Sequence, residues 1–244
     1  MNRRTFGAVA GAIALLALSS SAGAQANVSA AVADSNRPAD DTARDAARKP
    51  ADTLAFAKVR PGQTVLEIAP GGGYFTRLLS KAVGPTGHVY SATPPQFAKA
   101  VTAIAADPAY SNVTVVGVGS QAMTAVPKVD LVFTAQNYHD LHNPAAKLDV
   151  PALDKAWFDQ LKPGGLFVVV DHVATTGASV PETASTLHRI DPAFVRKEVE
   201  SAGFVFDGEA NFLHNPADTH ALKVFDPSIR GHTDQFVFRF RKPA

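Results

Sequence analysis

The segment Val65-Leu66-Glu67-Ile68-Ala69-Pro70-Gly71-Gly72-Gly73-Tyr74-Phe75-Thr76 organises the chain around it. It reads as a short apolar strand, a glycine-rich turn, and a helix carrying Phe75, Leu78 and Leu79 on one side. Glycine has no Cβ and tolerates positive φ, so such a strand-to-helix turn brings backbone N–H groups close to a ligand. A cofactor is therefore expected above it. Glu67 closes an otherwise apolar strand, and its carboxylate is expected to accept hydrogen bonds from that ligand rather than to sit in the core.

Working outward, strands and helices alternate. Arg60-Pro61-Gly62 turns into the opening strand, and the helix after the glycines ends at Gly84-Pro85-Thr86-Gly87. Strands are expected at residues 88–92, 113–116, 129–134 and 166–170, with a helix over 96–106 between the first two of these. Beyond them come a helix over 192–202 and two more strands at 204–206 and 235–240, the latter with a period of two. This pattern predicts an α/β fold: a Rossmann-like, doubly wound, mostly parallel seven-stranded sheet with helices on both faces and ligands at the carboxyl ends of its strands.

At the other end, Arg3 and Arg4 precede an apolar run from Ala8 to Leu18, and Ala22-Gly23-Ala24 supplies small residues for cleavage. Residues 1–24 are therefore expected to be a signal peptide, with Arg3-Arg4-Thr5-Phe6 resembling a twin-arginine signal, and the protein to be exported, periplasmic or secreted. Residues 25–39 are small and polar and read as a flexible leader, and residues 40–244 as a single domain. Without the two arginines of the signal, 21 basic residues face 22 acidic ones. Such a balance leaves no electrostatic footprint for nucleic acid. The apolar run is short for a membrane span, so no membrane association is expected once the signal is removed. The absence of cysteine excludes disulfides, thiolate metal sites and a cysteine nucleophile.

Glu67-Ile68-Ala69-Pro70-Gly71-Gly72-Gly73 resembles the first motif of the class I methyltransferases that use S-adenosylmethionine, with Ala69 in place of the first glycine. Lys162-Pro163-Gly164-Gly165-Leu166 resembles the turn before their fifth strand. With Tyr138-His139-Asp140-Leu141-His142-Asn143 and Asp226-Pro227-Ser228-Ile229-Arg230-Gly231, the chain resembles a branch of exported predicted methyltransferases. The resemblance implies S-adenosyl-L-methionine as cofactor, held by Glu67, Ala69, Gly71, Gly72, Gly73 and Tyr74. Two positions depart from the family: the second strand ends in Ala92-Thr93 without an acid, and Gly117-Val118-Gly119-Ser120 carries none after the third. Thr93 and Ser120 are left as weaker polar contacts. A lost charged acceptor costs about 1.5–3 kcal/mol where nothing replaces it.

The residues 138–143 place Tyr138, His139, Asp140 and His142 after the fourth strand, where they are candidates for a general base, its orienting partner and a hydrogen-bond donor. His139 is the expected base, because imidazole titrates near neutral pH. Asp171-His172 follows the fifth strand, and Asp140, Asp171 and His172 resemble the metal site of catechol-type O-methyltransferases. Imidazole in that set favours zinc, iron or copper over magnesium. His188 and Arg189 are candidates to face an anion, and Arg230 to close over a substrate carboxylate, while Asp191 before Pro192 reads as a helix cap. The expected function is methyl transfer to an oxygen or nitrogen of a small-molecule acceptor. The alternatives are a non-catalytic binding protein on the same fold and a metal-assisted enzyme.

Overall fold

The computed structural model describes residues 23–25, 27–118 and 124–244. Its strands are β1 (Thr64–Ile68), β2 (His88–Ala92), β3 (Val113–Val116), β4 (Val129–Ala135), β5 (Leu161–His172), β6 (Val205–Ala210) and β7 (Gln235–Arg241). They form one sheet in the order β3-β2-β1-β4-β5-β7-β6. The first five strands pair in parallel, and β7 runs antiparallel between β5 and β6. The mostly parallel sheet expected from the alternation is thus present. Strand β5 starts earlier than its apolar run, because Leu161 already pairs with Val129 across a register shift. It ends later because His172 still pairs with Gln235 of β7.

The helices are α1 (Ala39–Thr42), α2 (Asp45–Arg48), α3 (Pro50–Phe56), α4 (Tyr74–Val83), α5 (Lys99–Ala105), α6 (Tyr138–Leu141), α7 (Val150–Gln160), α8 (Val180–Thr186) and α9 (Pro192–Ser201). Alternate strand residues feed two cores, one on each face of the sheet. Val65, Leu131, Val168 and Val237 pack with Leu54 of α3 and Phe75, Leu78 and Leu79 of α4. Leu66, Val132, Phe167 and Phe238 pack on the other face with Trp157 of α7 and Val195 and Val199 of α9. Each helix therefore buries one apolar stripe against a strand face, the economy of a doubly wound sheet. Asp191 caps α9 by accepting from the Ala193 N–H at 2.9 Å, with Pro192 at the first helical position.

The segment read as a flexible leader behaves otherwise. Residues 27–32 are helical, and Val28 and Ala31 are buried in the first core. Arg37 is buried too, and its guanidinium donates to Asp45 at 2.5 and 2.8 Å and to the Val32 carbonyl at 2.7 Å. Small side chains at Ala30 and Ala31 hide the helical spacing of Val28, Ala31 and Val32 from a reading by composition. The export signal lies outside the described residues except for positions 23 and 24. Among the described residues no helix is long and apolar enough to cross a membrane.

The order reverses between β1 and β4, which are adjacent although the chain leaves them toward opposite edges of the sheet. That switch point opens a crevice at the strand carboxyl ends. The turn at 69–73, helix α6 after β4 and His172 at the end of β5 all gather there.

Candidate active site

Two different constraints select the glycines of the turn. Gly71 has φ 57°, and a Cβ there or on Gly72 would meet nothing within 4 Å, so both backbones border open space. Gly73 has φ 81°, and a Cβ would lie 2.1 Å from Ile104 Cδ1, so a larger residue there would force the buried Ile104 side chain of α5 to move. Ala69 adopts φ 51° where the family pattern has glycine, and its N–H donates to the Ala92 carbonyl at 2.9 Å. A cavity of about 200 Å³ lies over this turn, bounded by Glu67, Ala69, Gly71 and Gly72 on one side and by Asn137, His139, Asp140 and His172 on the other.

Glu67 borders the cavity but is more buried than expected, at 2 % exposure. Its Oε2 accepts from Thr76 Oγ1 at 2.6 Å and from Ser91 Oγ at 3.0 Å, Ser91 being its register partner on β2. Burial pushes its carboxyl up to about 7, against the lowering effect of the two hydroxyls. The acid expected to face only a ligand is therefore also part of the β1–β2–α4 packing, because position 67 shares the face of Val65.

Other cofactor candidates fall in different places. Tyr74 lines the cavity, yet its hydroxyl donates to Asp45 at 2.6 Å, and the guanidinium groups of Arg37, Arg44 and Arg48 lie 4.6–5.4 Å from its ring centre. It anchors the amino-terminal helices to the turn. Thr93 is buried, and its N–H donates to the Val116 carbonyl. Ser120 lies outside the described residues.

The cluster at 138–142 is split by its own helix. His139 and Asp140 border the cavity; Tyr138 and His142 point away from it. Tyr138 Oη lies 2.8 Å from both Asp154 Oδ2 and Glu198 Oε2, and burial together with those two charges raises its hydroxyl far above the usual range. Burial, reinforced by Glu198, pushes the Asp154 carboxyl well above its ordinary value, against the lowering effect of the Tyr138 hydroxyl. His142 Nε2 lies 3.0 Å from Glu198 Oε2 without hydrogen-bond alignment. These residues form a polar knot between α6, α7 and α9, on the far side of α6 from the cavity over the glycine turn.

His139 is 2 % exposed. Its N–H donates to Asp171 Oδ2 at 2.7 Å, Nδ1 lies 2.8 Å from Asp171 Oδ1, and Nε2 lies 3.3 Å from Asp140 Oδ1. Burial opposes protonation, but the two carboxylates outweigh it and carry the imidazole up to about 10. The free base expected at this position is thus a ring with both nitrogens engaged. Asp140 is in turn held below the usual carboxylate range by His139 and His188, against its burial.

The set Asp140, Asp171 and His172 is not assembled as a metal site. Asp171 is fully buried and accepts from His139 and from the His172 N–H at 2.8 Å. His172 Nδ1 turns to Thr233 Oγ1 at 2.8 Å, and burial depresses its imidazole to about 4. His188, from a distant segment, approaches instead, with Nδ1 3.3 Å from Asp140 Oδ1. Arg189 does not face an anion: it is fully buried and donates to Asp218, the Val173 carbonyl and the Leu222 carbonyl.

Several residues at the site carry no motif. Asn137 Nδ2 donates to the Ala69 and Ala135 carbonyls at 2.7 Å each, tying the ends of β1 and β4. Gln136, at φ 62°, receives a hydrogen bond from Arg48 and donates to Gln235 Oε1 at 2.8 Å. A second cavity of about 830 Å³ shares Arg44, Arg48, Gln136, His172, Val224 and Phe225 with the first and extends to Lys49 and Arg230. Among the described residues no carboxylate lines it. Arg44 is paired with Asp41 at 2.5 Å, whereas Arg48, Lys49 and Arg230 have no carboxylate partner among the described residues. Burial, with Arg44 beside it, lowers Arg48 to about 10, the sign of a cation short of counter-charge. No motif in the sequence marks Arg48 or Lys49; their convergence with Arg230 on one cavity distinguishes them.

Residues 41–205 match the family model described as protein-L-isoaspartate(D-aspartate) O-methyltransferase (PCMT). The chain belongs to the PCMT family. By family and fold it is a class I methyltransferase, and the cofactor of that class is S-adenosyl-L-methionine. A protein-L-isoaspartate O-methyltransferase from Ignicoccus hospitalis is 37% identical over 116 residues, which are 46% of this chain and 49% of that protein. The PCMT-family chain thus spans about half the length of this curated relative. Among solved structures, a SAM-dependent methyltransferase from Aquifex aeolicus aligns with TM-score 0.54 and 18% identity over 78% of this chain and 88% of that one. The [4+2]-cyclase SpnF aligns with TM-score 0.58 and 17% identity over 82% and 81%. A cyclase on the same fold shows that the fold by itself does not name the reaction. The open backbones at Gly71 and Gly72 and the carboxyl of Glu67 fit the methionine end of the cofactor. The ribose end finds no acid at Thr93.

Proposed function

We propose that this member of the PCMT family transfers a methyl group from S-adenosyl-L-methionine to a carboxylate oxygen of its acceptor, either a small molecule or an acidic peptide residue. One observation carries the reading: the large cleft joined to the cofactor turn gathers Arg44, Arg48, Lys49 and Arg230, with no acid in its lining among the described residues. Guanidinium groups bind carboxylates with paired, directional hydrogen bonds, so the cleft selects an anionic acceptor and orients it. When bound, S-adenosyl-L-methionine supplies an activated methyl group. Gly71 and Gly72 leave its backbone approach clear, and Glu67 accepts from its amine. A carboxylate is nucleophilic without prior deprotonation, so the chain's task is to orient the acceptor and exclude water. A His139 whose two nitrogens both face carboxylates suits a reaction without a base better than one with it.

The test uses the full chain, methyl-labelled S-adenosyl-L-methionine, and a panel of small carboxylic acids and isoaspartyl peptides. Label released as methanol by mild base is expected, since methyl esters hydrolyse and methyl ethers or amines do not. Arg48→Ala and Arg230→Ala should each raise the acceptor KM about ten- to hundredfold, the loss of one charged hydrogen bond of about 1.5–3 kcal/mol, with the cofactor KM unchanged in Arg230→Ala, whose side chain lines the large cleft alone. Base-stable label overturns the carboxylate reading. Cofactor-induced thermal stabilisation without any transfer would leave a binding protein on the fold.

We also propose that the protein works outside the cytoplasm, on the support of Arg3, Arg4 and the apolar run to Leu18. Fractionation of expressing cells, with amino-terminal sequencing of the product, should find a form cleaved after Ala24. A full-length cytoplasmic product refutes it.

A further inference from the structure

His139 Nε2 and His188 Nδ1 each lie 3.3 Å from Asp140 Oδ1, and the three ligand atoms all fall within 4.8 Å of one another. Charge-assisted hydrogen bonds are shorter, about 2.7–2.9 Å. A separation of 3.3 Å is instead the edge of a tetrahedron about a metal with bonds of about 2.0–2.1 Å. Two of the three edges are already at that length. The remaining one, between His139 and His188, is no longer than 4.8 Å, and the partly exposed His188 can turn to shorten it.

A second observation comes from behind His139. Asp171, with no exposed surface, takes Nδ1 at 2.8 Å and the backbone N–H at 2.7 Å. This carboxylate fixes the ring's orientation and holds the Nδ1 proton, so that a metal ion entering beside Asp140 displaces the proton on Nε2 and takes that nitrogen as ligand. A carboxylate behind a histidine is the support that metal-binding imidazoles use. His188 has φ 56°, in the left-handed region that histidine enters more readily than most residues. The ring of Phe225 lies 4.8 Å from it by centroids and that of His139 5.4 Å.

We propose that His139 Nε2, an Asp140 carboxylate oxygen and His188 Nδ1 bind a divalent first-row transition-metal ion, with Asp171 orienting His139. Two imidazoles and one carboxylate suit zinc, iron or cobalt and disfavour magnesium and calcium. Because His139 and Asp140 border the cavity over the glycine turn, the open coordination positions face that cavity and accept an oxygen ligand there. The inference does not rest on carboxylate methylation, and its test requires no methyl transfer.

The full chain, purified without chelator, stripped and dialysed, is titrated with Co²⁺ alone and followed by visible absorption. One equivalent is expected to produce the strong d–d bands of a low-coordinate site. His188→Ala and Asp140→Asn should each weaken Co²⁺ binding at least tenfold with unchanged far-ultraviolet dichroism, while the remote His88→Ala should leave it as in the wild type. Absence of a band at one equivalent overturns the proposal, and so does a band that survives in both variants.

Discussion

Replacing Glu67 by Gln tests the electrostatics of the turn most directly. Glu67 is 2 % exposed, and burial lifts its carboxyl from 4.5 to about 7. A folded-state value above the unfolded one means that the native protein keeps its proton after the unfolded chain has lost it. Stability is then undiminished below pH 4.5, falls through the interval to about 7, and levels off above it. That interval is worth about 3 kcal/mol. Glutamine keeps an oxygen that can accept from Thr76 and Ser91 but does not titrate. Urea unfolding of the ligand-free wild type and Glu67→Gln at a series of pH values should therefore show the variant's relative stability growing by about 3 kcal/mol from pH 4.5 to 7.5. S-adenosylhomocysteine, whose ammonium favours the ionised carboxylate, should bind wild type more tightly as pH rises through the same interval and bind the variant without that trend. A difference in stability that stays constant with pH refutes the argument. A wild type that gains on the variant as pH rises would show that Glu67 is stabilised as an anion by the fold itself.

The glycines of the turn should separate by mechanism. Gly71→Ala incurs only the cost of its positive φ, about 1–2 kcal/mol, whereas Gly73→Ala adds overpacking against Ile104 of about 1–3 kcal/mol; equal losses in chemical denaturation would refute the distinction. Arg189→Ala leaves the buried Asp218 without its cation and should destabilise by about 3–5 kcal/mol, seen as a large fall in Tm; a loss under about 1 kcal/mol would mean that Asp218 does not depend on the pair.

Strand periodicity, the Gly71–Gly73 turn and the Asp191-Pro192 cap were all legible in the chain because each depends on neighbours within a few residues. Glu67 was legible as special, but not as a buried group, since its burial depends on Ser91 and Thr76 arriving from β2 and α4. The leader was misread for a related reason: alanine and valine at modest density look flexible until a core is present to receive Val28 and Ala31. Tyr138 and His142 shared a motif with His139 and Asp140, and one turn of helix sent them to the other side. No signal in sequence could have linked Asp140 to His188, or Arg48 to Arg230, because those partners meet only through the crossing of distant loops.

By itself, then, the amino-acid order determined an alternating α/β chain with a glycine turn at the end of its first strand, and through that the family. Hydrophobic period and backbone tolerance are local properties, and local properties can be read along one dimension. Tertiary structure alone decided which titratable groups share a space. It placed His139 between Asp171 and Asp140, brought His188 to the same carboxylate, and lined a cleft with cations from both ends of the domain. Charge and coordination act through distances of a few ångströms, and those distances exist only once the sheet has brought its strand ends together.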